Sequence, residues 1–404
     1  MARLKKSKTA GSALILVLFA VVLLSTMGSG LLALGLNSRI LAIRRVNSVK
    51  ARCAADAGIT RALFEMNQKL EAGAWSESGL PSGAEQSLPY CDATFTYTVT
   101  GSLAGGYTIE SVGSSGAAVK TIYADLRLKG PFEDPISVSE DLTLKGNTTI
   151  DGFNSDDVSE TVKTLIGTNS TESMSVELNN NSTIDGDVFV GVDGDIDTVI
   201  KDLGATYEDK FSLLEELTFP PVTAPTLPDM GTDIEAKGVT QIIGPTDSGM
   251  YEDIDLSSKA GESGILEIDG GDVVLHITGD IDIGQACELQ IKPGSTLKMY
   301  LNGDLAADNS TGINNETNSA AAFKLYGVGD DQSFDLKNGT DFYGAIYAPN
   351  ADIILYNSGQ FYGSFSARNF EAKNNSDFHY DKALQDVSVT DDAVQFVVMR
   401  WREE

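Results

Sequence analysis

The sequence predicts an α+β chain in three parts: a long N-terminal helix, a small antiparallel sheet, and a mostly-β body. The body is expected to form a right-handed parallel β-helix, with a β-sandwich as the competing fold. Three observations carry this. No charged residue lies between Thr9 and Ser38. Between Leu36 and Leu70 there is no proline, and Gly58 is the only glycine. Short turn-bounded segments then recur in the body, one pair at an offset of 34 residues and another at 19.

The helix comes first. The run SALILVLFAVVLLSTMGSGLLALGL exceeds the roughly 20 apolar residues needed to cross a hydrocarbon core. It is also longer than the apolar region of a secretory signal, about 7 to 15 residues. Past it, Ile40, Ile43, Val46, Cys53, Ala57, Ala62, Met66 and Leu70 recur at roughly helical spacing, so one helix is expected over 12–70. At about 1.5 Å per residue it is on the order of 90 Å long, and only its first third can sit in lipid. Arg3, Lys5, Lys6 and Lys8 precede the run and favour a cytoplasmic N-terminus, although the stretch from Arg39 to Arg52 is basic too.

Charge separates this segment from the rest. The 404 residues carry 58 acids and 29 bases, a net charge of -29. Nine of those bases precede Asp56, the first acid, which leaves 20 against 58 in the remainder. Such a surface repels phosphate backbones, so nucleic acid is excluded as a partner, and proteins, sugars or cations are expected instead. Cys53, Cys91 and Cys287 show no metal or redox spacing and are expected to be ordinary buried thiols, with a Cys53–Cys91 disulfide as the alternative.

A basic leader ending in glycine (KKSKTAG), an apolar helix directly after it (SALILVLF), and the continuing AADAGITRAL resemble a type IV pilin precursor, specifically the PilX-type minor pilins. The resemblance implies a leader over 1–11, cleavage after Gly11 by a prepilin peptidase, and methylation of Ser12. It also implies that other pilin-like subunits are partners through the helix. One residue departs from the pattern. Most pilins place glutamate at the fifth mature position to neutralise a neighbour's amine, and here Leu16 stands there. A subunit lacking that carboxylate suits a tip or priming position better than a repeating one.

Over 71–130, DATFTYTVTG and GGYTIESVGSSGAAVKTIYADLRL alternate apolar and polar residues between glycine turns, so three or four antiparallel strands are expected. The TIESVG and VKTIYADL segments extend the PilX-type resemblance to about Lys129. A first β region is expected over 131–218, with TVIKDLGATYEDKFSLLEEL as a helix capping the solenoid end. FPPVTAPTLPDM places four of 11 prolines in a linker or strap over 219–234. The solenoid itself is expected over 235–404, ending in a C-terminal strand.

The repeats motivate the solenoid. GNTTIDG at Gly146 recurs as NNSTIDG at Asn180. NGTDFYGAIYAPNADI from Asn338 recurs as NSGQFYGSFSARNFEA from Asn357, with a partial third copy, NNSDFHYD, from Asn374. Units this short fit single coils, with aliphatic residues alternating inward and Asn, Gly and Asp taking the turns. The region 265–404 also resembles an uncharacterised β-helical domain joined to PilX-type N-termini.

Signals for catalysis are weak. His276 and His379 lie in no nucleophile motif, and both are expected as strand residues. Asp280 and Asp282 would face one side of a strand, as a carboxylate pair in a polysaccharide-degrading β-helix would, but a solvated turn is the default. Asp193, Asp195 and Asp197 resemble the start of a calcium loop, with Thr198 where the turn glycine belongs and Gly204 where the last glutamate belongs.

The expected function is therefore non-catalytic. The chain is expected as a minor pilin-like subunit of a type IV pilus or pseudopilus, acting in bacterial pilus assembly, tip priming or cell-surface adhesion to a protein or glycan. Its expected place is the inner membrane, single-pass, with the body periplasmic, or extracellular once assembled. The alternative is an envelope protein tethered by one span, with a structural or carbohydrate-binding β-helix.

Overall fold

A computed structural model describes residues 10–157, 159–308, 312–337, 341–356, 359–373 and 375–404. Arg3, Lys5, Lys6 and Lys8 of the leader lie outside the described residues, as do Asn338, Asn357 and Asn374 at the starts of the repeats. The chain divides into two compact units, Met1–Arg127 with Phe396–Glu404, and Leu128–Gln395.

The first unit is built on helix α1, Ala10–Glu71, 62 residues without a break. Its end is dictated by Gly73, which adopts φ +61. The Gly73 amide then reaches the Leu70 carbonyl at 2.9 Å and the Ala74 amide reaches Lys69 at 2.9 Å, closing the last turn as a Schellman motif. Strands β1 (Ser82–Ser87), β2 (Thr94–Ser102), β3 (Gly106–Ser115) and β4 (Ala118–Lys129) form an antiparallel meander. Val99 opposes Ile109, which opposes Ala124, so one face of each strand is apolar. The C-terminal strand Gln395–Glu403 adds a fifth strand beside β4. That strand was expected to close the solenoid. It pairs instead with the antiparallel sheet, held at its start by Asn67, whose side-chain amide accepts from the Phe396 N–H at 2.7 Å and donates to the Phe396 carbonyl at 3.2 Å.

The sheet covers only the second half of α1. Ala51, Ala54, Ala55, Ile59, Ala62 and Met66 are fully buried against it. Small residues are needed there because the backbones nearly touch: a Cβ on Gly113 would lie 2.0 Å from the Ala51 carbonyl oxygen and 2.5 Å from the Ala55 nitrogen. The AADAG segment is thus a packing surface.

The second unit is one stack of parallel strands. Ile234, Ile254, Ile281, Leu305, Phe334, Ile353, Phe370, Leu142, Val176 and Ile200 stand one above the next, each paired in parallel with its neighbour. None is more than 5% exposed. A sandwich needs antiparallel sheets; every strand pairing described in this large sheet is parallel. The recurring sequence segments lie side by side as parallel strands, since Thr149 pairs with Thr183 and Ile150 with Ile184, while Phe342 and Tyr343 pair with Phe361 and Tyr362.

Two expectations about this region are corrected. The first β region and the solenoid are not separate domains: Phe365 pairs with Ile136, Phe370 with Leu142, and Phe378 with Ile150, so residues 136–212 continue the stack that 234–381 begins. Spatial order is therefore permuted relative to chain order. The capping helix over 198–217 is replaced by a four-residue helix, Ile196–Val199, and strands Ile200–Asp202 and Lys210–Ser212. Asp202 breaks it, its carboxylate accepting the amides of Gly204 (2.8 Å) and Ala205 (2.9 Å) in a turn where Gly204 takes φ +108. The proline-rich stretch, expected as a linker or a strap, runs as a strap. Leu217 is held by Asn169 (2.7 and 2.9 Å), Pro220 accepts from the Tyr347 hydroxyl (2.8 Å), and the Met230 amide reaches Met250 (3.0 Å), so the strap runs back from the last coils to the first.

Replacing Gly113 by alanine should cost the first unit about 2 to 4 kcal/mol, because backbone atoms cannot yield as a side chain can. Thermal unfolding of that variant should show the loss, whereas Gly58→Ala, which meets the movable Ser111 hydroxyl, should cost less; equal, small effects would contradict the close approach.

Candidate functional site

The candidate site is the uncovered half of α1. Leu14, Ile15, Leu16, Val17, Leu18, Phe19, Val21, Val22, Leu23, Leu24, Met27, Leu31, Leu32, Leu34 and Leu36 are all more than half exposed. Transfer of each such side chain out of water is worth about 1.5 to 3 kcal/mol, so leaving all of them in water costs tens of kcal/mol, more than a domain's whole stability. Among the described residues this is the one helix long and apolar enough to cross a membrane. Gly11 and Ser12 fall in its first turn. Leu16 is 69% exposed and leaves this end of the helix without a carboxylate.

The remaining sequence candidates do not assemble into a reaction centre. Asp195 caps the short helix by accepting the Asp197 amide at 3.1 Å, and Asp197 pairs with Lys210 at 2.7 Å. Asp193 sits in a left-handed turn at φ +59. Committed to these roles, the three do not converge, and no cluster of three metal-ligating side chains occurs among the described residues.

Asp280 precedes its strand, and Asp282 lies within it. The Asp280 carboxylate accepts the Asp304 amide at 2.8 Å, while the Asp280 amide donates to Asp253 at 2.7 Å. Asp304 repeats the contact on Ser333 at 2.8 Å. These Gly-Asp turns form a ladder in which each carboxylate holds the next coil, so Asp280 is not free to act with Asp282. Burial, with Asp255 and Asp308 beside it, pushes the Asp282 carboxyl up.

Both histidines are outward strand residues. His276 meets Asn302 at 2.7 Å. His379 stacks on Tyr362 with ring centroids 4.6 Å apart and is gripped by Asp151 and Gln360 at 2.6 Å each. Of the cysteines, Cys287 is buried, Cys91 half-buried and Cys53 exposed, so the expectation of buried thiols holds for Cys287 alone.

Sequence reasoning missed a column of outward tyrosines beneath the strap. Tyr300, Tyr326 and Tyr347 are in register on successive coils and at most 3% exposed. Phe219, Val222 and Ala224 of the strap pack on this cluster. The Tyr300 hydroxyl donates to Asp392 at 2.8 Å, where Lys298 also binds at 3.0 Å. A signal existed in the recurring Lys-x-Tyr of Lys298–Tyr300 and Lys324–Tyr326.

The comparisons with known proteins come to this. The profile of a family described as a domain of unknown function, DUF7305, matches residues 226–387. That stretch holds the last strap residues and the coils up to the junction at 381. No curated protein matches the sequence. Among solved structures, the competence-associated pilin ComZ from Thermus thermophilus aligns over 89% of this chain and 97% of its own, at 14% identity and a TM-score of 0.27. A likeness that low does not define a shared fold.

Burial holds all three tyrosine hydroxyls above their ordinary value of 10.0, with Asp392 adding to the effect at Tyr300 and Tyr326. The folded state therefore keeps protons that the unfolded chain releases. This stability is complete below pH 10 and is lost as pH rises beyond it, by up to about 1.4 kcal/mol per pH unit for each phenol. Alkaline unfolding followed by circular dichroism should steepen above pH 10, and Tyr326→Phe should reduce the slope by about one proton; an unchanged slope would contradict a buried neutral phenol.

Proposed function

We propose that the chain is a pilin-like subunit, a minor component that assembles with other such subunits through α1 and carries a right-handed parallel β-helix as its outer body. The observation that carries this is the division of one helix into two halves. From Ala51 to Met66 its small and apolar face is buried under an antiparallel sheet, and from Leu14 to Leu36 every large apolar side chain is bare. A helix of this kind has two chemically suitable environments, a bilayer and a bundle of like helices, and a pilin uses both in turn.

The leader ending at Gly11 supplies the processing site, and removing it would leave Ser12 as the new N-terminus. Leu16 favours a position with no neighbour's amine to neutralise, hence the tip or a priming complex. The stacked parallel coils, three strands to a turn over most of their length, favour the β-helix. The Asp ladder and the strap make that body rigid, as befits a part that bears contact. A role in adhesion or assembly needs no catalytic group.

Mass spectrometry of the mature protein from its native membrane tests the reading. A chain beginning at a methylated Ser12 is expected. An intact leader would instead favour a permanently tethered envelope protein.

A further inference from the structure

We propose that Arg39, Arg44 and Arg45 form a girdle around α1 that binds the phosphates of anionic lipids at the membrane face opposite the leader. The inference rests on the reading of α1 as a membrane span.

Position comes first. Leu14 to Leu36 covers about 33 Å of helix, close to the ~30 Å of a hydrocarbon core. The three arginines follow directly, and Arg39 to Arg45 occupies about 9 Å along the axis, close to the roughly 5 to 8 Å of one headgroup layer. All three are exposed.

Pairing comes second. The basic residues just beyond have protein partners: Lys50 meets Asp92 at 2.6 Å and Arg52 meets Glu403 at 3.4 Å. Arg39, Arg44 and Arg45 have no ion pair among the described residues, in a chain with two acids for every base. The first acid in the sequence is Asp56, about 16 Å further along the helix than Arg45.

Direction decides the kind of partner. At 100° per residue the three side chains leave the axis at gaps of about 100° to 140°, so they surround it. A protein partner would present its acids from one side and leave at least one guanidinium facing away. A ring of phosphates at one depth satisfies all three, and guanidinium forks match phosphate oxygens in pairs. The long stems of the arginines can lie along Ile40, Leu41 and Ile43 while their heads reach the phosphates. Basic residues on this flank, which obscure orientation if only charge is counted, then set the depth of the span.

The test uses the full chain reconstituted in vesicles of phosphatidylcholine and phosphatidylglycerol in equal amounts, with retained lipids counted by native mass spectrometry after mild detergent extraction. Each arginine near an anionic surface is worth about a fivefold preference, so wild type should retain phosphatidylglycerol over phosphatidylcholine by at least about tenfold. The triple variant Arg39→Gln, Arg44→Gln, Arg45→Gln should lose most of that preference, keeping only what the leader's Arg3, Lys5, Lys6 and Lys8 contribute, and the triple lysine variant should recover much of it, whereas a triple glutamine variant as selective as wild type overturns the girdle. Helical content by circular dichroism checks that the variants fold. Equal retention by wild type overturns the girdle, and so does displacement of the lipid by inorganic phosphate alone, which would assign the arginines to phosphate in solution. Failure of every variant to enter either lipid would instead sink the membrane reading of α1.

Discussion

The constraint on which the molecule turns is the apolar surface that α1 leaves uncovered. A helix is stable alone only where its backbone bonds are protected or its face is packed, and this one meets the two conditions in different places. Its second half is pinned by a sheet through alanine and glycine contacts too close for larger residues. Among the described residues, nothing covers its first half. Water is therefore a costly environment for it, and a bilayer or a bundle of other apolar helices is compatible with it. Every functional statement about the protein follows from that cost.

The second unit solves a different problem, how to stack parallel strands without exposing an edge at the seam. Residues 136–212 and 234–381 share one inward pattern, and the chain enters beside the coil where it will finish. The Tyr380 hydroxyl donates to the Phe132 carbonyl at 3.0 Å, and Ser366 donates to Pro131 at 3.1 Å, so the entering segment is fastened at the junction. The strap then returns over the tyrosine column to start the other half. Side chains that would be solvent-facing on a bare solenoid become a second core, which is why three large phenols lie buried on the outer side of their strands.

Much of this was legible in the sequence, for identifiable reasons. The uncharged run and the proline-free stretch gave α1 to within a few residues, because helix length depends on local rules. Short repeats reported neighbouring parallel strands, since Ile150 and Ile184 are paired and both buried. The capping helix was misplaced because Leu213, Leu214 and Leu217 resemble a helical face, whereas Asp202 and Gly204 had already committed the chain to a turn. The permuted order was invisible, as nothing local tells Ile136 that its neighbour is Phe365. Similarly, Asp193, Asp195 and Asp197 have ligand spacing, yet Asp195 serves as a cap and Asp197 as an ion-pair partner, which spacing alone does not show. The arginines at 39, 44 and 45 were visible as charge; their arrangement around the axis needed the continuous helix.

The most direct measurement is the partition of the purified full-length chain. If the bare half of α1 governs its behaviour, the protein should stay with membranes through an alkaline carbonate wash and come away only with detergent, while a chain starting near Asn47 should stay in the aqueous phase. A full-length protein that remained monomeric and soluble without detergent would contradict the account at its base.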